Sequence, residues 1–310
     1  SDGAVAARVP LVGTGTVEIT AMAATGTGGD AIVVGWFTES LRLGDTMLAS
    51  AGSRDGFYAR VTPQGRVLWA YRVGGNDDDQ LTAVATDAQR NEIALAGSFV
   101  ERADWRGQTL TARHPNSGSA NTVVARITSD GSLNWHAEFG GRRQLVTAGV
   151  ALLRNGRIAV AATGRDEVEW PGKTIYISGP SDGVVAWYEA NGDFLGADAL
   201  GGLDYDGITG IAASADDHVV VAGWCSGTCA LGTTIVKGDD GDAAYLATVG
   251  VNQPARFATV FASASHEWVG GFAVDPMTQQ WTALARSLAP IAVDQRQTEH
   301  PTLLIHSALP

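Results

Sequence analysis

Ala21-Met22-Ala23, a small-large-small triplet, returns along the chain as Ala83-Val84-Ala85, Gly149-Val150-Ala151, Gly210-Ile211-Ala212 and Gly271-Phe272-Ala273, at spacings of 62, 66, 61 and 61 residues. Self-similarity at so long a period, carried by β-type segments, is the signature of a propeller or related array with one supersecondary unit per repeat. The second copy, written out, defines that unit. Leu81 to Asp87 is apolar and β-prone, Asp87-Ala88-Gln89-Arg90-Asn91 reads as a turn, and Glu92 to Phe99 alternates as a second strand. Two more strands follow, Asn121 to Ile127 and Ser132 to Phe139, joined by Thr128-Ser129-Asp130-Gly131 and closed by Gly140-Gly141. The repeat is therefore four strands, a-b-c-d. Other copies place c-to-d turns at Thr62-Pro63-Gln64-Gly65, Glu189-Ala190-Asn191-Gly192 and Gly250-Val251-Asn252-Gln253-Pro254. Paired glycines end strand d again at Gly74-Gly75 and Gly201-Gly202, whereas the fourth copy carries Phe261-Ala262-Ser263.

The two ends sharpen the count. Gly3 to Ala23 lies over Gly65 to Ala85 without a gap, so the sequence opens on a strand d, and it ends on Pro301 to Ser307, where the fifth copy places strand c. This predicts an all-β, five-bladed β-propeller with four antiparallel strands per blade, the N-terminal strand completing the C-terminal blade and closing the ring. One domain, 1–310, holds blade repeats at about 17–75, 79–141, 145–202, 206–263 and 267–310, plus the closing strand 3–10. Closure removes an open strand edge, which is otherwise a template for aggregation.

Composition agrees with one all-β unit. Of 310 residues, 45% are hydrophobic, enough for a core, and 39 glycines suit a chain with many turns. No apolar run approaches the ~18 residues of a membrane helix, and no basic-then-apolar leader opens this sequence, so membrane insertion is not expected. The balance of 21 Lys+Arg against 33 Asp+Glu gives a net charge of −12, which repels phosphate backbones and anionic membranes and removes nucleic acid from the expected partners. Solubility alone is a sufficient reason for that acidity, and a monomer is expected.

Blades are wedges converging on an axis, so strand a meets its neighbours in the narrowest space. Ala or Gly on one pleat face permits that approach, while Met22, Val84, Val150, Ile211 and Phe272 on the other pack between sheets. A second recurring column ends strand b: Gly35-Trp36-Phe37, Gly97-Ser98-Phe99, Ala162-Thr163-Gly164 and Gly223-Trp224-Cys225. A third, Leu43-Gly44-Asp45-Thr46 with its counterparts from Trp105, Trp170 and Leu231, predicts an extra small hairpin within each long b-to-c connection. The fifth copy lacks this pattern.

The run Asp55 to Val61, then Gly65-Arg66-Val67-Leu68-Trp69, Gly74-Gly75-Asn76-Asp77-Asp78 and Ala83 to Asp87, resembles the bacterial propeller repeat labelled SBBP. The likeness covers nearly the whole chain and is strongest in copies 1 and 2. It implies a propeller fold and an extracytoplasmic setting, at the cell surface or secreted, with the periplasm as the alternative. The family label suggests seven blades, where this chain supplies five. It implies no common catalytic residues.

In an up-and-down meander the b-c and d-a connections share one face, and here that face holds every long loop. Function usually sits on loops presented by a rigid scaffold, so a ligand site is expected there, near the axis. The d-a loops bring Asp79, Arg142, Arg143, Tyr205, Asp206, His266, Glu267 and Trp268 to the mouth, beside Glu18 and Gln80. Trp36, Trp224 and Trp268, with Tyr205, have the amphipathic faces that stack on sugars, although packing is the expected role of Trp36 and Trp224. A glycan or a protein is the expected ligand.

Calcium is the one cofactor the acidic loops admit, with Asp77, Asp78 and Asp204 as candidate ligands, yet none of these loops has EF-hand spacing. Cys225 and Cys229, four apart in one loop, are expected to oxidise to a local disulfide in an exported protein, the alternative being two buried thiols. Five-bladed propellers can house glycosidases with paired carboxylates deep at the axis. Here strand a is Ala, Gly and aliphatic along its buried length, and no Gly-x-Ser-x-Gly elbow, phosphate loop or metal-hydrolase motif occurs. The sequence favours a non-enzymatic binding module over a structural spacer, and both over a glycan-active hydrolase or lyase.

Overall fold

Every regular element among the described residues of the computed structural model is a β-strand. The description covers residues 8–310 apart from 27, 88, 215–216, 233, 263–266, 276–279, 288–291, 294–295, 298–301 and 309–310; of 238–241, 254, 257–258, 262, 267–268, 270 and of 285 onward it covers the backbone alone. The chain divides into two compact units, Ser1–Arg142 and Arg143–Pro310, the first holding copies 1 and 2 and the second copies 3 to 5.

Copies 1 to 4 are antiparallel meanders in the order a-b-c-d. Copy 1 runs Val17–Ala24, Ala31–Leu43, Thr46–Val61 and Val67–Gly75, and copy 2 runs Gln80–Asp87, Glu92–Val100, Ala120–Ile127 and Leu133–Phe139. Copy 3 runs Val146–Leu152, Ile158–Gly164, Asp182–Tyr188 and Phe194–Gly202; copy 4 runs Asp206–Ala213, His218–Leu231, Thr234–Gly250 and Gln253–Ala262. Copy 5 contributes Glu267–Asp275, Gln280–Ser287 and Thr302–Ala308 as a, b and c. The turns follow from their glycines. Gly65, Gly131 and Gly192 adopt φ of 79°, 81° and 96° in c-to-d turns whose two backbone hydrogen bonds recur, Gly131 N donating to the Thr128 carbonyl and Thr128 N to the Ser132 carbonyl.

Two irregularities repeat with the copies. In all five, the a-b ladder slips by one residue just before the triplet, at Thr20, Thr82, Ala148, Thr209 and Gly270. Such a bulge bends strand a and increases its twist. A residue with positive φ then kinks the chain, within the long strand b of copies 1 and 4 (Glu39 at 57°, Gly227 at 62°) and just past strand b in copies 2 and 3 (Glu101 at 56°, Asp166 at 59°).

Beyond that kink lies the small hairpin, here termed the arm. It continues the long b and c strands in copies 1 and 4 and is separate in copy 2 (Arg102–Trp105 with Gln108–Thr111) and copy 3 (Glu167–Trp170 with Lys173–Tyr176). The arm pairs with the end of the preceding strand d, Val73, Gly74 and Gly75 opposite Trp105, Asp104 and Ala103, and Gly201 and Gly202 opposite Ala230 and Cys229. Copy 5 keeps a short arm, contrary to the sequence expectation: Ala292–Val293 pairs with Arg296–Gln297 and with Phe261 and Ala262 of copy 4. Its backbone survives without the turn residues that mark the other arms.

Leu11–Gly13 occupies the same relation to the arm of copy 1, Leu11, Val12 and Gly13 lying opposite Leu43, Arg42 and Leu41. Its register is that of a strand d, as the alignment of Gly3 to Ala23 with Gly65 to Ala85 predicts. Residues 3–7 of the expected closing strand lie outside the described residues.

The paired glycines now have separate reasons. A Cβ on Gly74, Gly140 or Gly201 would fall within 2.5 Å of Asp55, Asn121 or Asp182 at the start of strand c, and one on Gly75, Gly202 or Gly13 would strike the arm carbonyl of Arg102, Thr228 or Ser40. The first glycine makes room for a buried Asx and the second for the arm.

Successive sheets pack face to face within each unit. Ile32, Val34 and Tyr58 of copy 1 meet Leu81, Leu95 and Val123 of copy 2. In copy 4 the run Val219 to Ala222 splits by parity: Val219 and Val221 join the core with Ala159, Ala161 and Trp187 of copy 3, and Val220 and Ala222 that with Val269 and Trp281 of copy 5. A strand buried on both faces thus reads as continuous hydrophobics. The triplet works as an interlock, Ile211 of copy 4 filling the space above Gly149 and Phe272 of copy 5 that above Gly210. Met22 departs from the expected buried position, being 67% exposed where Val150 of copy 3 is buried.

Candidate functional site

A cleft of about 560 Å³ opens between strand a of copy 3 and strand a of copy 4. Its walls are the starts of those strands, Val146 to Ala148 and Ile208 to Thr209, the ends of strands b at Thr163 and Trp224, and the d-a loop at Tyr205. Gln144, Arg165 and Ser181 complete it. The volume is that of a small-ligand pocket.

Local sequence explains the shape. Gly207 pairs with Trp224, and a Cβ there would lie 2.2 Å from the indole, so the glycine is what lets that ring lie against strand a. Tyr205 follows the exposed Leu203-Asp204 and leaves its ring 57% exposed at the rim. Arg165 sits on the residue before the kink at Asp166, exposed, with no hydrogen bond or ion pair among the described residues. The neighbouring cation is spent differently: Arg143 Nε donates to Asp166 Oδ2 at 2.9 Å. Among the described residues no carboxylate lines the cleft.

The expected site residues separate into three groups. Tyr205 lines the cleft. Asp79 and Asp206, 1% and 0% exposed, lie behind the surface and do the same task in two copies: each accepts from a backbone N–H of the preceding strand d, Gly75 at 2.6 Å or Gly202 at 2.5 Å, and from one of its own copy's strand b, Val100 or Ser226, both at 3.0 Å. Burial pushes both carboxyls up to about 7, against the opposing pull of those donors. They are latches that tie d-a loops to strand b.

The third group is absent from the described lining of the cleft. Glu18 is exposed in the first unit, opposite Trp36, and the Gln80 amide donates to Ser98 Oγ at 3.2 Å. The Arg142 carbonyl accepts from Ser119 Oγ in the first unit, whereas Arg143 begins the second. Asp78 faces Arg54 and accepts from Ser53, Asp77 is half-buried, and Asp204 is exposed; among the described residues these three enter no group of three close ligand atoms. His266 lies outside the described residues, and Glu267 and Trp268 are placed only by backbone, opposite Ser287 and Arg286.

Cys225 and Cys229 are joined in a disulfide with Cα atoms 6.0 Å apart, both fully buried, and Cys229 Sγ lies 3.3 Å from Asp206 Oδ1. They take the positions that Phe37 and Leu41 fill in copy 1, and Phe99 and Ala103 in copy 2. The bridge replaces apolar packing beneath the arm.

Gln144, Val146, Thr163 and Arg165 were not among the expected residues: Gln144 and Val146 lie at the start of strand a and Thr163 and Arg165 at the end of strand b, and none of the four stands out in type from its neighbours along the chain. The repeat itself holds the signal. The column containing Arg165 reads Thr38, Val100, Arg165 and Ser226, so a cation there is not required by the fold. No family model matches the chain, and no curated protein matches it.

Proposed function

We propose that this chain is a closed five-bladed propeller of the secreted bacterial repeat type, and that it acts as a non-enzymatic module binding a glycan in the cleft between copies 3 and 4. The observation that carries the binding reading is the open cleft walled by Tyr205 and Trp224, two amphipathic rings beside hydroxyl and amide side chains. Ring closure is supported by Leu11–Gly13, which holds the register of a strand d against the arm of copy 1. An extracytoplasmic setting is supported by the Cys225–Cys229 disulfide. The non-enzymatic reading is supported by the carboxylates themselves: Asp79 and Asp206 are consumed by backbone donors, and the cleft offers no acid-base pair. Glycan-array binding of the full chain tests the proposal, with Tyr205→Ala expected to lose about tenfold or more in affinity through the loss of a stacking face. Unchanged binding in that variant places the site elsewhere, and turnover of any arrayed polysaccharide overturns the non-enzymatic assignment.

A further inference from the structure

The cleft between copies 3 and 4 is chemically unlike its counterpart positions between copies 1 and 2. Aligned through Asp206 and Asp79, Tyr205 stands where copy 2 has Asp78, and Trp224 where it has Ser98. Aligned through the ends of strand b, Val146 replaces Glu18, Arg165 replaces Thr38, and Ser181 replaces Arg54. In copy 1 the Arg54 guanidinium lies 4.9 Å from the centre of the Trp36 ring and 3.6 Å from Asp78, so its cation is committed within the protein. The third and fourth copies have removed the acids, exposed an aromatic face and left one cation free.

We infer that this cleft selects a carboxylate-bearing oligosaccharide, with Arg165 gripping the carboxylate and Tyr205 stacking on the sugar ring. The inference rests on the proposed glycan reading and narrows it to one chemical class. Among the described residues Arg165 is the only charged one lining the cleft and has no partner, whereas Arg143 nearby is neutralised by Asp166. A guanidinium presents a planar fork that matches a carboxylate with two parallel hydrogen bonds, and the pairing supplies orientation as well as affinity. On a chain of net charge −12, an unpaired arginine in a cleft whose described lining has no acid is a local inversion of sign, the form that charge complementarity takes when an anion is to be admitted. Thr163, Ser181 and Thr209 are already used, donating to the carbonyls of Ile208, Asp206 and Ala222, which leaves Gln144, Arg165, the Tyr205 hydroxyl and the Trp224 indole N–H to address a ligand, Arg165 alone among them charged.

The test uses the full chain on an array carrying uronate- and sialate-containing chains beside their carboxyl-reduced counterparts and a poly-glutamate peptide, followed by calorimetry on the strongest ligand. Binding about tenfold or more tighter to the carboxylated glycans than to their carboxyl-reduced counterparts, with the difference shrinking as salt is added, is expected. Arg165→Gln should lower that affinity by about tenfold or more, the size of a lost charge-assisted pair, and Arg165→Lys should restore only part of it because the point charge lacks the fork. Tyr205→Ala should weaken carboxylated and carboxyl-reduced chains alike. Equal affinity for a glycan and its carboxyl-reduced form overturns the inference while leaving the glycan reading intact. Full affinity in Arg165→Gln overturns it as well, as does an Arg165-dependent preference for poly-glutamate. Absence of binding to every arrayed glycan overturns both readings.

Discussion

Asp182 and Gly201 illustrate how single residues hold each copy together. The carboxyl accepts the Ser178 N–H at 3.0 Å, and its other oxygen lies where a Gly201 side chain would be. Gly201→Ala is therefore expected to cost about 1–3 kcal/mol through overpacking. Copy 4 contains the compensated form of this pair, Ala243 in the Asx position and Ala262 in the glycine position. Chemical denaturation of Gly201→Ala, Asp182→Ala and the double variant should show the double to be more stable than the sum of the single losses; strict additivity would sink the steric explanation. The latches make a second prediction. Asp79 and Asp206 rise from an ordinary 3.8 to about 7 on folding, so the folded chain holds protons that the unfolded chain releases over that interval. Their contribution lowers stability as pH rises toward 7 and beyond. The melting temperature should fall between pH 5 and pH 8, and Asp79→Asn should flatten that fall even if it lowers the level by losing one acceptor. A slope unaltered in Asp79→Asn would remove this acid from the account. Aspartate beside paired glycine was visible in the sequence, but its burial was not, since an acidic loop reads as solvated until its backbone partners are known.

At the scale of elements, strands and turns were the most legible part of the chain. Period-2 alternation, Gly at positive φ and the recurring triplet fixed the meander in every copy, because those signals are local. The bulge before the triplet and the kink at Glu39, Glu101 and Asp166 were hidden: they occur at residues of ordinary type, and only the ladder reveals them. The copy 5 arm was hidden for the opposite reason, a backbone pairing kept after its marker residues had gone. The arm of copy 4 carries the disulfide, and closing so short a loop contributes only about 2 kcal/mol in the chain-entropy estimate. Denaturation with and without a reductant should differ by about that amount; a loss of the whole transition on reduction would give the bridge a larger role than local stiffening. Arg165 belongs to this scale as well, for its meaning came from the column it occupies and not from any motif.

The whole molecule is five copies distributed over two compact units, and its proposed closure makes a geometric prediction. Carrying the copy 1 register onto copy 5 sets Val9 opposite Leu304. Cysteines introduced at both positions should form a disulfide under mild oxidation, detected by mass spectrometry of a proteolytic digest without reduction. Failure to cross-link in a folded variant would contradict the ring. Inside each unit, the end of strand d is bound twice, by its own strand c and by the next copy's arm. That double attachment fixes how neighbours line up through main-chain groups, which every amino acid but proline supplies. Side chains on the facing sheets are thereby relieved of setting alignment, and successive duplicates can drift apart in sequence while still docking in the same way. One groove in such an array is free to evolve a new chemistry without disturbing the joints on either side of it.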